Sequence, residues 1–317
     1  MRTITVALGE KTYNIEIAAG LLDQIGAKAR VLSQAVKAAI ISDSNVDPLY
    51  GERLERSLAA SGFEVTRIVF AAGEQSKNLT VLGQVYDELA RAGLTRSDLI
   101  LTLGGGVPGD LGGFAAATFL RGIDFIQVPT SLLAQIDSSV GGKVAIDLPS
   151  GKNLAGSFYQ PKAVFIDPDL LKTLPLRFLH DGLAEAIKYG CIRDAGLFAQ
   201  IAAVKSDQEL LEQADIIIET CCNIKARIVE KDEFDTGERM LLNFGHTIGH
   251  AIEKCCGFTT YTHGEGVGIG MVQMTRQTEK LGLTAAGTAE ELSRVLKKFA
   301  LPVSAVFDAQ EILQAMA

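Results

Sequence analysis

The sequence predicts an α/β N-terminal domain with a Rossmann-like, mainly parallel sheet, followed by an all-α C-terminal domain. Three observations support this fold class. The first half alternates short β-rich runs with segments of helical length, as in a parallel sheet covered by helices on both faces. From Pro168 onward, apolar residues recur at helical spacing and almost no strand pattern remains. The length of 317 residues also suits two domains. We expect residues 1–170 to form the first and residues 171–317 the second.

Six β-rich runs make up the predicted sheet. They are TVAL (5–8), AAIIS (38–42), EVTRIVF (64–70), DLILTL (98–103), FIQVP (125–129) and AVFID (163–167). Helical segments such as LTVLGQVYDELARAG (79–93) lie between several of them. Such sheets bind ligands beyond the carboxyl ends of their strands, so the polar residues that follow each run are candidates for a binding site.

The clearest helix of the second region is ADIIIETCCNIKARIVEKDE (214–233), in which Lys225 lies on the apolar stripe. A lysine that faces inward needs a charged partner or a ligand. The alternative is that its aliphatic stem lies along the protein and its ammonium reaches the surface. Both interpretations remain open from the sequence.

Composition and charge exclude several functions. The net charge of -8 argues against a broad nucleic-acid surface, which needs a basic excess. No apolar stretch reaches the 18 residues that would suggest a membrane span, and the start MRTITVALGEK lacks the apolar run of a signal peptide. Five cysteines, four of them in two adjacent pairs, make a poor disulfide framework. We therefore expect a cytoplasmic protein.

A glycine-rich turn in LILTLGGGVPGDLGG (99–113) predicts a phosphate site. A buried strand ends at Gly104–Gly106, and Pro108 opens the next helix. Glycine lets backbone N–H groups approach a phosphate, and the start of a helix favours negative charge. The alternative is a tight strand–helix turn without a ligand. Asp43, Glu74 and Lys77 follow two other strands and support a nucleotide, although each also suits a solvated loop.

The segment SSVGGKVAIDLPSGKN (138–153) predicts a flexible anion-binding loop. Lys143 and Lys152 both follow glycine, so bare backbone and ammonium groups can converge on a phosphate or carboxylate. Arg121, after the glycine–alanine helix, could join them. The alternative is that both lysines are simply exposed.

Histidines and a carboxylate predict a metal site in the second region. His246 and His250 are four residues apart in LLNFGHTIGHAIEK (241–254), which places both on one helix face. His263 follows, and Glu185 precedes them with Lys188 on the same helix face. Two or three histidines with a carboxylate describe a catalytic zinc site, although a histidine pair is also often structural. The stretch lacks the glutamate of HExxH, so it is not a zincin motif.

The order and spacing of six motifs identify a family resemblance. They are GGGVPGDLGGFAAATFLRG, VPTSLLAQIDSSVGGKVAID, GKNLAGSFYQP, GLAEAIKYG, LLNFGHTIGHAIE and HGEGVGIGM. From about residue 40 to 285 the chain resembles the 3-dehydroquinate synthase family. The resemblance implies a homodimer that uses NAD and Zn²⁺ (or Co²⁺). It also implies a sugar-phosphate substrate, 3-deoxy-D-arabino-heptulosonate 7-phosphate, which is converted to 3-dehydroquinate and phosphate.

The resemblance also implies roles for particular residues. Glu185, His246 and His263 match the metal ligands, whereas His250 matches the substrate-phosphate and proton-transfer network. The other matches to substrate positions are Lys143, Lys152, Asn153, Lys188, Lys225, Arg239, Asn243, Asp137, and Arg121 reaching from the neighbouring subunit. The matches to cofactor positions are Asp43, Asn45, Glu74, Lys77, Gly105, Gly106, Val107, Asp110, Thr130, Ser131, Lys143, Lys152 and Thr173.

The implied chemistry is a cyclisation with no net redox change. In the family, the metal lowers the pKa of a substrate hydroxyl, NAD oxidises that carbon transiently, phosphate leaves, and the hydride is returned before an intramolecular aldol closure. Lysines and arginines hold the substrate's carboxylate and phosphate, so the protein mainly positions groups and stabilises charge.

The sequence departs from the family at three points. Asp147 stands where the family usually has asparagine, and Phe178 where many members have glutamate. The sequence ends at EILQAMA, before a basic segment that supplies a lysine near the substrate phosphate in the family. We therefore expect that tail to be missing.

Three other functions remain open. One is a sister sugar-phosphate cyclase of the 2-deoxy-scyllo-inosose or epi-valiolone type. Another is a metal-dependent NAD polyol dehydrogenase, and the third is a non-catalytic binding subunit. Lys225 and Arg239 favour a substrate that carries a carboxylate, and hence the first assignment.

Overall fold

The chain forms two compact units. The computed structural model describes residues 1–257, 260–306 and 309–316. Unit 1 contains Met1–Leu174 and Ala214–Phe234, and unit 2 contains Pro175–Gln213 and Asp235–Ala317. Within the described residues, none of the helices is both long and apolar enough to cross a membrane. The assignment of NAD binding to the first predicted domain and metal binding to the second stays a prediction.

Unit 1 is built on a seven-stranded sheet and a separate two-stranded sheet. The strands are β1 (Arg2–Val6), β2 (Tyr13–Ile17), β3 (Lys37–Asp43), β4 (Glu64–Phe70), β5 (Leu99–Gly104), β6 (Asp124–Pro129), β7 (Lys143–Leu148), β8 (Gly151–Phe158) and β9 (Ala163–Ile166). The order of the large sheet is β1-β2-β9-β6-β5-β3-β4. Only β1 and β2 pair antiparallel in it, whereas β7 and β8 form an antiparallel hairpin.

Twelve α-helices lie within the described residues. They are α1 (Ile25–Leu32), α2 (Glu52–Ala60), α3 (Leu79–Arg91), α4 (Gly106–Thr118), α5 (Leu176–Ile192), α6 (Ala195–Ala203), α7 (Asp207–Glu212), α8 (Ala214–Lys231), α9 (His246–Cys255), α10 (His263–Lys280), α11 (Thr288–Lys298) and α12 (Ala309–Met316). Helices α1–α4 and α8 belong to unit 1 and the others to unit 2.

The central strands are buried on both faces, which explains their continuous apolar runs. In β3, Ala38 and Ile40 pack into the core cluster that includes residues of α1 and α2. The alternate residues Ala39 and Ile41 pack into the cluster that includes residues of α3 and α4. Helices on both faces of a parallel sheet produce this arrangement. The predicted mainly parallel α/β region followed by helices is therefore confirmed.

Two parts of unit 1 differ from the sequence prediction. Strand β2 was not predicted, because Asn14 and Glu16 interrupt its apolar residues in a run near the sheet edge. The prediction of a flexible loop over residues 138–153 was wrong, because most of this segment belongs to the β7–β8 hairpin. In KVAIDL, larger apolar residues alternate with other residues, and this pattern could have predicted strand β7.

Helix α8 belongs to unit 1, although the sequence places it in the second region. Its apolar stripe is buried, and several polar contacts attach it to unit 1. Arg2 pairs with Asp215 at 3.1 Å, and the Cys222 thiol donates to the Gln135 carbonyl at 3.2 Å. Glu230 accepts from a backbone amide beyond β1 at 2.8 Å. The chain therefore returns to the sheet after α7.

Unit 2 is helical, and its helices α9 and α10 approach closely at glycines. A Cβ on Gly249 would lie 2.9 Å from the carbonyl carbon of Gly266, and one on Gly270 would lie 2.0 Å from the carbonyl oxygen of Gly245. Side chains larger than hydrogen would therefore push the two helices apart. The histidines of both helices come together because of this short separation.

Candidate active site

A carboxylate and two imidazoles meet inside unit 2. Oε1 of Glu185 lies 3.5 Å from Nε2 of His246 and 3.4 Å from Nε2 of His263. The three residues come from α5, α9 and α10, respectively. Glu185 is fully buried, and its other carboxylate oxygen contacts the ammonium of Lys188. The structure thus brings together residues that the sequence assigns to one metal site.

His250 joins the same cluster. Its ring centroid lies 5.3 Å from that of His246 and 5.6 Å from that of His263, and one nitrogen of each of the three rings lies within 4.8 Å of the others. His250 is exposed, whereas His246 and His263 are partly buried. Two ligand sets are therefore geometrically available, three imidazoles or Glu185 with two of them. The assignment of only His246 from the pair to the metal stays a prediction.

The electrostatic surroundings differ between two of the rings. Burial lowers the pKa of His246 to about 4, against the attraction of Glu185, so this imidazole is neutral near pH 7. Burial also opposes the charge of His263. Hydrogen bonds to Glu185 and Glu253 outweigh it and raise the pKa to about 10. The site therefore offers a neutral nitrogen ligand and stabilises positive charge.

This donor set fits a divalent metal. Zinc binds imidazole nitrogen and carboxylate oxygen, and catalytic sites commonly use three such ligands. Glu185 is a buried carboxylate with imidazole nitrogens facing one of its oxygens, which is the arrangement that a shared cation would complete. Cys255 is exposed at the far end of α9.

Asp181 fixes the start of α10 against α5. Its Oδ1 accepts a hydrogen bond from the Gly264 amide at 2.6 Å, one turn before Glu185 on the same helix. Arg177 holds both oxygens of Glu265 at 2.8 Å, and Glu265 accepts from the Thr262 amide at 3.0 Å. These contacts place His263 beside Glu185. Sequence reasoning missed Asp181, although its spacing of four from Glu185 puts both on one helix face.

The glycine turn of unit 1 lies at the carboxyl end of β5. Gly104 has φ +157°, and a Cβ there would lie 2.4 Å from the Pro108 ring, so the turn requires glycine. Gly105 precedes α4 as its N-cap and Gly106 is its first residue, so backbone amides face outward from the helix start as a phosphate site requires. Val107 packs partly against the core instead of adding a polar group.

Other predicted cofactor residues lie at the same sheet edge. The Thr130 amide donates to the Gly104 carbonyl at 2.9 Å, which places Thr130 and Ser131 beside the glycine turn. Asp43 ends β3, one residue after Ser42, which pairs with Leu103 of β5. Its carboxylate accepts from the Asn45 amide at 2.8 Å, so Asp43 shapes the loop that carries Asn45.

Lys77 is buried and is the centre of a polar network. Its ammonium lies 2.6 Å from Asp110 and 3.8 Å from Glu74, and it also donates to the side chain of Asn153. Burial disfavours the charged form of Lys77, but the attraction of the neighbouring carboxylates outweighs this effect and raises the pKa of Lys77. Lys152 joins through Glu74 at 3.7 Å. Five of the predicted cofactor or substrate residues are thus assembled in one place.

Asp147, which replaces the usual asparagine of the family, supports this network. Its Oδ1 accepts from the Asn153 amide at 2.8 Å, and its own amide donates to the Lys77 carbonyl at 2.7 Å. An asparagine carbonyl oxygen could accept the same bond, so the departure preserves the hairpin turn.

Lys225 has a partner, which decides between the two interpretations of its inward position. Its ammonium lies 2.7 Å from Oδ1 of Asp137 and 2.6 Å from the Asp137 carbonyl oxygen. The residue is only 5% exposed, so it does not extend to the surface. Two predicted substrate residues, the buried Lys225 and the partly buried Asp137, therefore form one ion pair in unit 1.

The remaining predicted residues occupy defined positions in the two units. Lys143 lies exposed at the start of β7, and Arg121 is exposed after α4 with φ +70°. Thr173 is exposed and hydrogen bonds to the Tyr50 hydroxyl at 2.5 Å. In unit 2, Arg239 is buried and Asn243 exposed in the short helical segment Glu238–Asn243.

Comparison with known proteins gives a consistent picture. Residues 67–181 match the family model described as 3-dehydroquinate synthase N-terminal, and residues 182–317 match the one described as 3-dehydroquinate synthase C-terminal. The chain is 55% identical to a 3-dehydroquinate synthase of Clostridium acetobutylicum over 302 residues, which cover 95% of the chain and 85% of that protein.

Two solved structures share the fold and were determined with cofactors. One is 2-deoxy-scyllo-inosose synthase complexed with carbaglucose-6-phosphate, NAD⁺ and Co²⁺, with a TM-score of 0.89, 26% identity, and coverage of 99% of this chain and 86% of that one. The other is a 2-epi-5-epi-valiolone synthase from Streptomyces hygroscopicus with NAD⁺ and Zn²⁺ bound. Its TM-score is 0.88 and its identity 28%, and the match covers 98% of this chain and 87% of that one.

Proposed function

The chain belongs to the 3-dehydroquinate synthase family, and from this premise we infer that it converts 3-deoxy-D-arabino-heptulosonate 7-phosphate to 3-dehydroquinate and phosphate. The observation that carries the inference is the meeting of Glu185, His246 and His263 in a chain 55% identical to a 3-dehydroquinate synthase. Carbon–oxygen bond cleavage with loss of phosphate makes the enzyme a lyase.

We propose that Glu185, His246 and His263 hold a divalent metal, Zn²⁺ or Co²⁺. Bound there, the metal would polarise a substrate hydroxyl and lower its pKa. Burial keeps His246 neutral and therefore able to offer a lone pair. Lys188 balances the charge of Glu185 from the same helix, so it tunes how strongly that carboxylate attracts a cation. His250 is exposed beside the two proposed histidine ligands and is placed to move protons.

We propose that unit 1 binds NAD at the carboxyl edge of its sheet. The cofactor would supply a reversible hydride acceptor, so that the reaction has no net redox change. The amides at the start of α4 would hold the pyrophosphate, and Asp43 would accept from ribose hydroxyls. The Lys77 network stabilises the hairpin that carries Asn153. NAD⁺ in both solved relatives supports this assignment.

The cationic residues support a substrate that bears a carboxylate and a phosphate. The ammonium of Lys225 is held by Asp137, and the guanidinium of Arg239 suits bidentate recognition of either anion. A sister cyclase is the second candidate, since the solved relatives are such enzymes. Their 26–28% identity is half that of the 3-dehydroquinate synthase relatives, which favours the first function.

The experiment uses purified protein with Zn²⁺, a catalytic amount of NAD and the heptulosonate phosphate. We expect phosphate release that far exceeds the NAD supplied, without accumulation of NADH. Stoichiometric NADH formation would identify a dehydrogenase instead. Turnover of glucose 6-phosphate, which resembles the carbaglucose phosphate of one relative but has no carboxylate, would identify a sister cyclase.

We also propose a cytoplasmic homodimer in which Arg121 reaches the substrate phosphate of the neighbouring subunit. The exposure of Arg121 supports this role. Mixing Arg121→Ala with Glu185→Gln protein tests it. A mixed dimer has one site with both Glu185 and Arg121 intact, so subunit exchange should restore part of the activity that each variant lacks alone. No restoration after verified exchange would exclude the shared site.

A further inference from the structure

We propose that Glu253 is a positioning residue that orients His263 for metal binding. Its carboxylate accepts the Nδ1–H of His263 and thereby leaves Nε2 as the nitrogen that faces Glu185. This inference rests on the proposed metal function of Glu185, His246 and His263. It adds to the site a residue that neither the sequence motifs nor the family resemblance assigned.

The imidazole of His263 lies between two carboxylates. Oε1 of Glu253 is 3.4 Å from Nδ1, and Oε1 of Glu185 is 3.4 Å from Nε2. A histidine that binds a metal through one ring nitrogen commonly donates the other N–H to a carboxylate, which fixes the tautomer and the ring orientation. His263 has one carboxylate beside each ring nitrogen. This arrangement suits a histidine that binds a metal through Nε2 and donates Nδ1–H to a carboxylate.

The location of Glu253 is set by the helix that also carries His246 and His250. It lies seven residues after His246 on α9, and helical spacing of seven returns to the same face. The ring of His263 comes from α10, which the glycine contacts bring close to α9. The cross-helix contact therefore depends on the same short separation that assembles the histidines.

Burial gives the Glu253 carboxylate a further role. The residue is only 4% exposed, and burying an ionised carboxylate is costly unless it is paired or hydrogen bonded. A hydrogen bond to the ring of a metal-bound histidine satisfies this requirement. The negative charge also raises the basicity of the ring and so strengthens its bond to a cation.

Two other acids near His263 act on the backbone instead of the ring. Asp181 accepts from the Gly264 amide, and Glu265 pairs with Arg177 and accepts from the Thr262 amide. These contacts place the start of α10, but they leave rotation of the imidazole undetermined. Glu253 contacts Nδ1 of the ring, so it can set both the side-chain torsion and the tautomer of His263.

The test measures metal affinity without substrate or NAD. Metal-stripped wild type, Glu253→Gln, Glu253→Leu and the control Asp207→Asn compete for Zn²⁺ with a chromophoric chelator. Asp207 lies 2.7 Å from Nε2 of His180, so the control alters a second carboxylate–histidine pair in unit 2 that has no proposed metal role. We expect Glu253→Leu to weaken zinc binding about 10- to 100-fold. Glu253→Gln should weaken it less, because its amide oxygen still accepts the N–H, and Asp207→Asn should match wild type.

A second readout separates orientation from general stability. With Co²⁺ in place of Zn²⁺, the visible absorption of the metal reports the geometry and the strength of its ligands. The spectrum of Glu253→Gln should differ from wild type at full loading, because a neutral amide accepts the N–H more weakly and leaves the ring less basic. Wild-type affinity together with a wild-type cobalt spectrum in Glu253→Gln would overturn the inference, even if Glu253→Leu fails to fold. If wild type itself binds no zinc, the proposed metal function fails instead.

Discussion

The ammonium of Lys225 lies 2.7 Å from Oδ1 of Asp137, and both groups belong to unit 1. Helix α8 thus delivers a lysine to the segment after β6, although the sequence places this helix among those of the second region. The pair explains why a charged residue occurs on an apolar stripe.

A double-mutant cycle on this pair distinguishes stability from catalysis. Lys225→Met should lower the free energy of unfolding by about 2 kcal/mol, because it leaves the partly buried Asp137 charge without compensation. Lys225→Met combined with Asp137→Leu should recover most of this loss in denaturant melts. Turnover should stay low in both variants. Recovery of activity in the double variant would remove Lys225 from the proposed substrate site.

The spacing of α9 and α10 gives a second prediction. Gly249→Ala would place a Cβ 2.9–3.0 Å from backbone atoms of Gly266 and Val267, so the helices must separate. We expect a loss of about 1–3 kcal/mol of stability, together with weaker zinc binding. Gly83→Ala is the matched control, since its Cβ meets nothing within 4 Å on α3, and it should keep or raise stability. Equal zinc affinity in both variants would show that helix spacing does not control the site.

The fold was predictable where burial dictates the sequence pattern. Strands β3 and β5 are covered on both faces, so the stretches Ala38–Ile41 and Leu99–Leu101 are continuously apolar and the runs are visible. β2 alternates with polar residues, and the β7–β8 hairpin is rich in glycine and polar residues, so neither shows this pattern. The return of α8 to unit 1 depends on contacts such as Arg2–Asp215, which no local pattern reveals.

Prediction of the site was limited in the same way. His246 and His250 share a helix, so their proximity follows from spacing alone. The meeting of Glu185, His246 and His263 depends on how three helices pack, which the sequence does not show without a family resemblance. Glu253 lies seven residues after His246 on α9. It was missed because a glutamate at such a spacing is also typical of the solvent-exposed face of a helix.

A third prediction concerns acid stability through Asp98. Burial disfavours the charged form of Asp98, but three hydrogen bonds stabilise it more strongly. The Lys37 amide donates at 2.9 Å, and the amide and hydroxyl of Thr95 donate at 2.7 and 2.8 Å. They lower the pKa of Asp98. A lowered folded-state pKa adds stability above the unfolded pKa, and that stability is lost as the pH falls through the folded value.

Substitution of Asp98 by asparagine should therefore cost about 1–2 kcal/mol near neutral pH, because the bonds to an ionised acceptor are lost. Denaturant melts from pH 7 to pH 3 check this. The difference between wild type and Asp98→Asn should shrink toward the acid end. A difference that stays constant with pH would show that the charge of Asp98 contributes nothing.

The two histidines of α9 give a fourth prediction. His246→Ala should abolish tight zinc binding, because it removes a proposed ligand that lies close to Glu185. His250→Ala should keep the metal and slow turnover, in line with a proton-transfer role beside the site. Zinc titration by calorimetry and steady-state assays measure the two effects. Loss of zinc in both variants to the same extent would assign His250 to the metal as well.

Anomalous diffraction at the zinc edge from zinc-loaded crystals tests the central claim most directly. The account predicts one peak about 2.0–2.2 Å from a carboxylate oxygen of Glu185 and from Nε2 of His246 and His263. A peak bound by His246, His250 and His263, with Glu185 retained by Lys188, would contradict it.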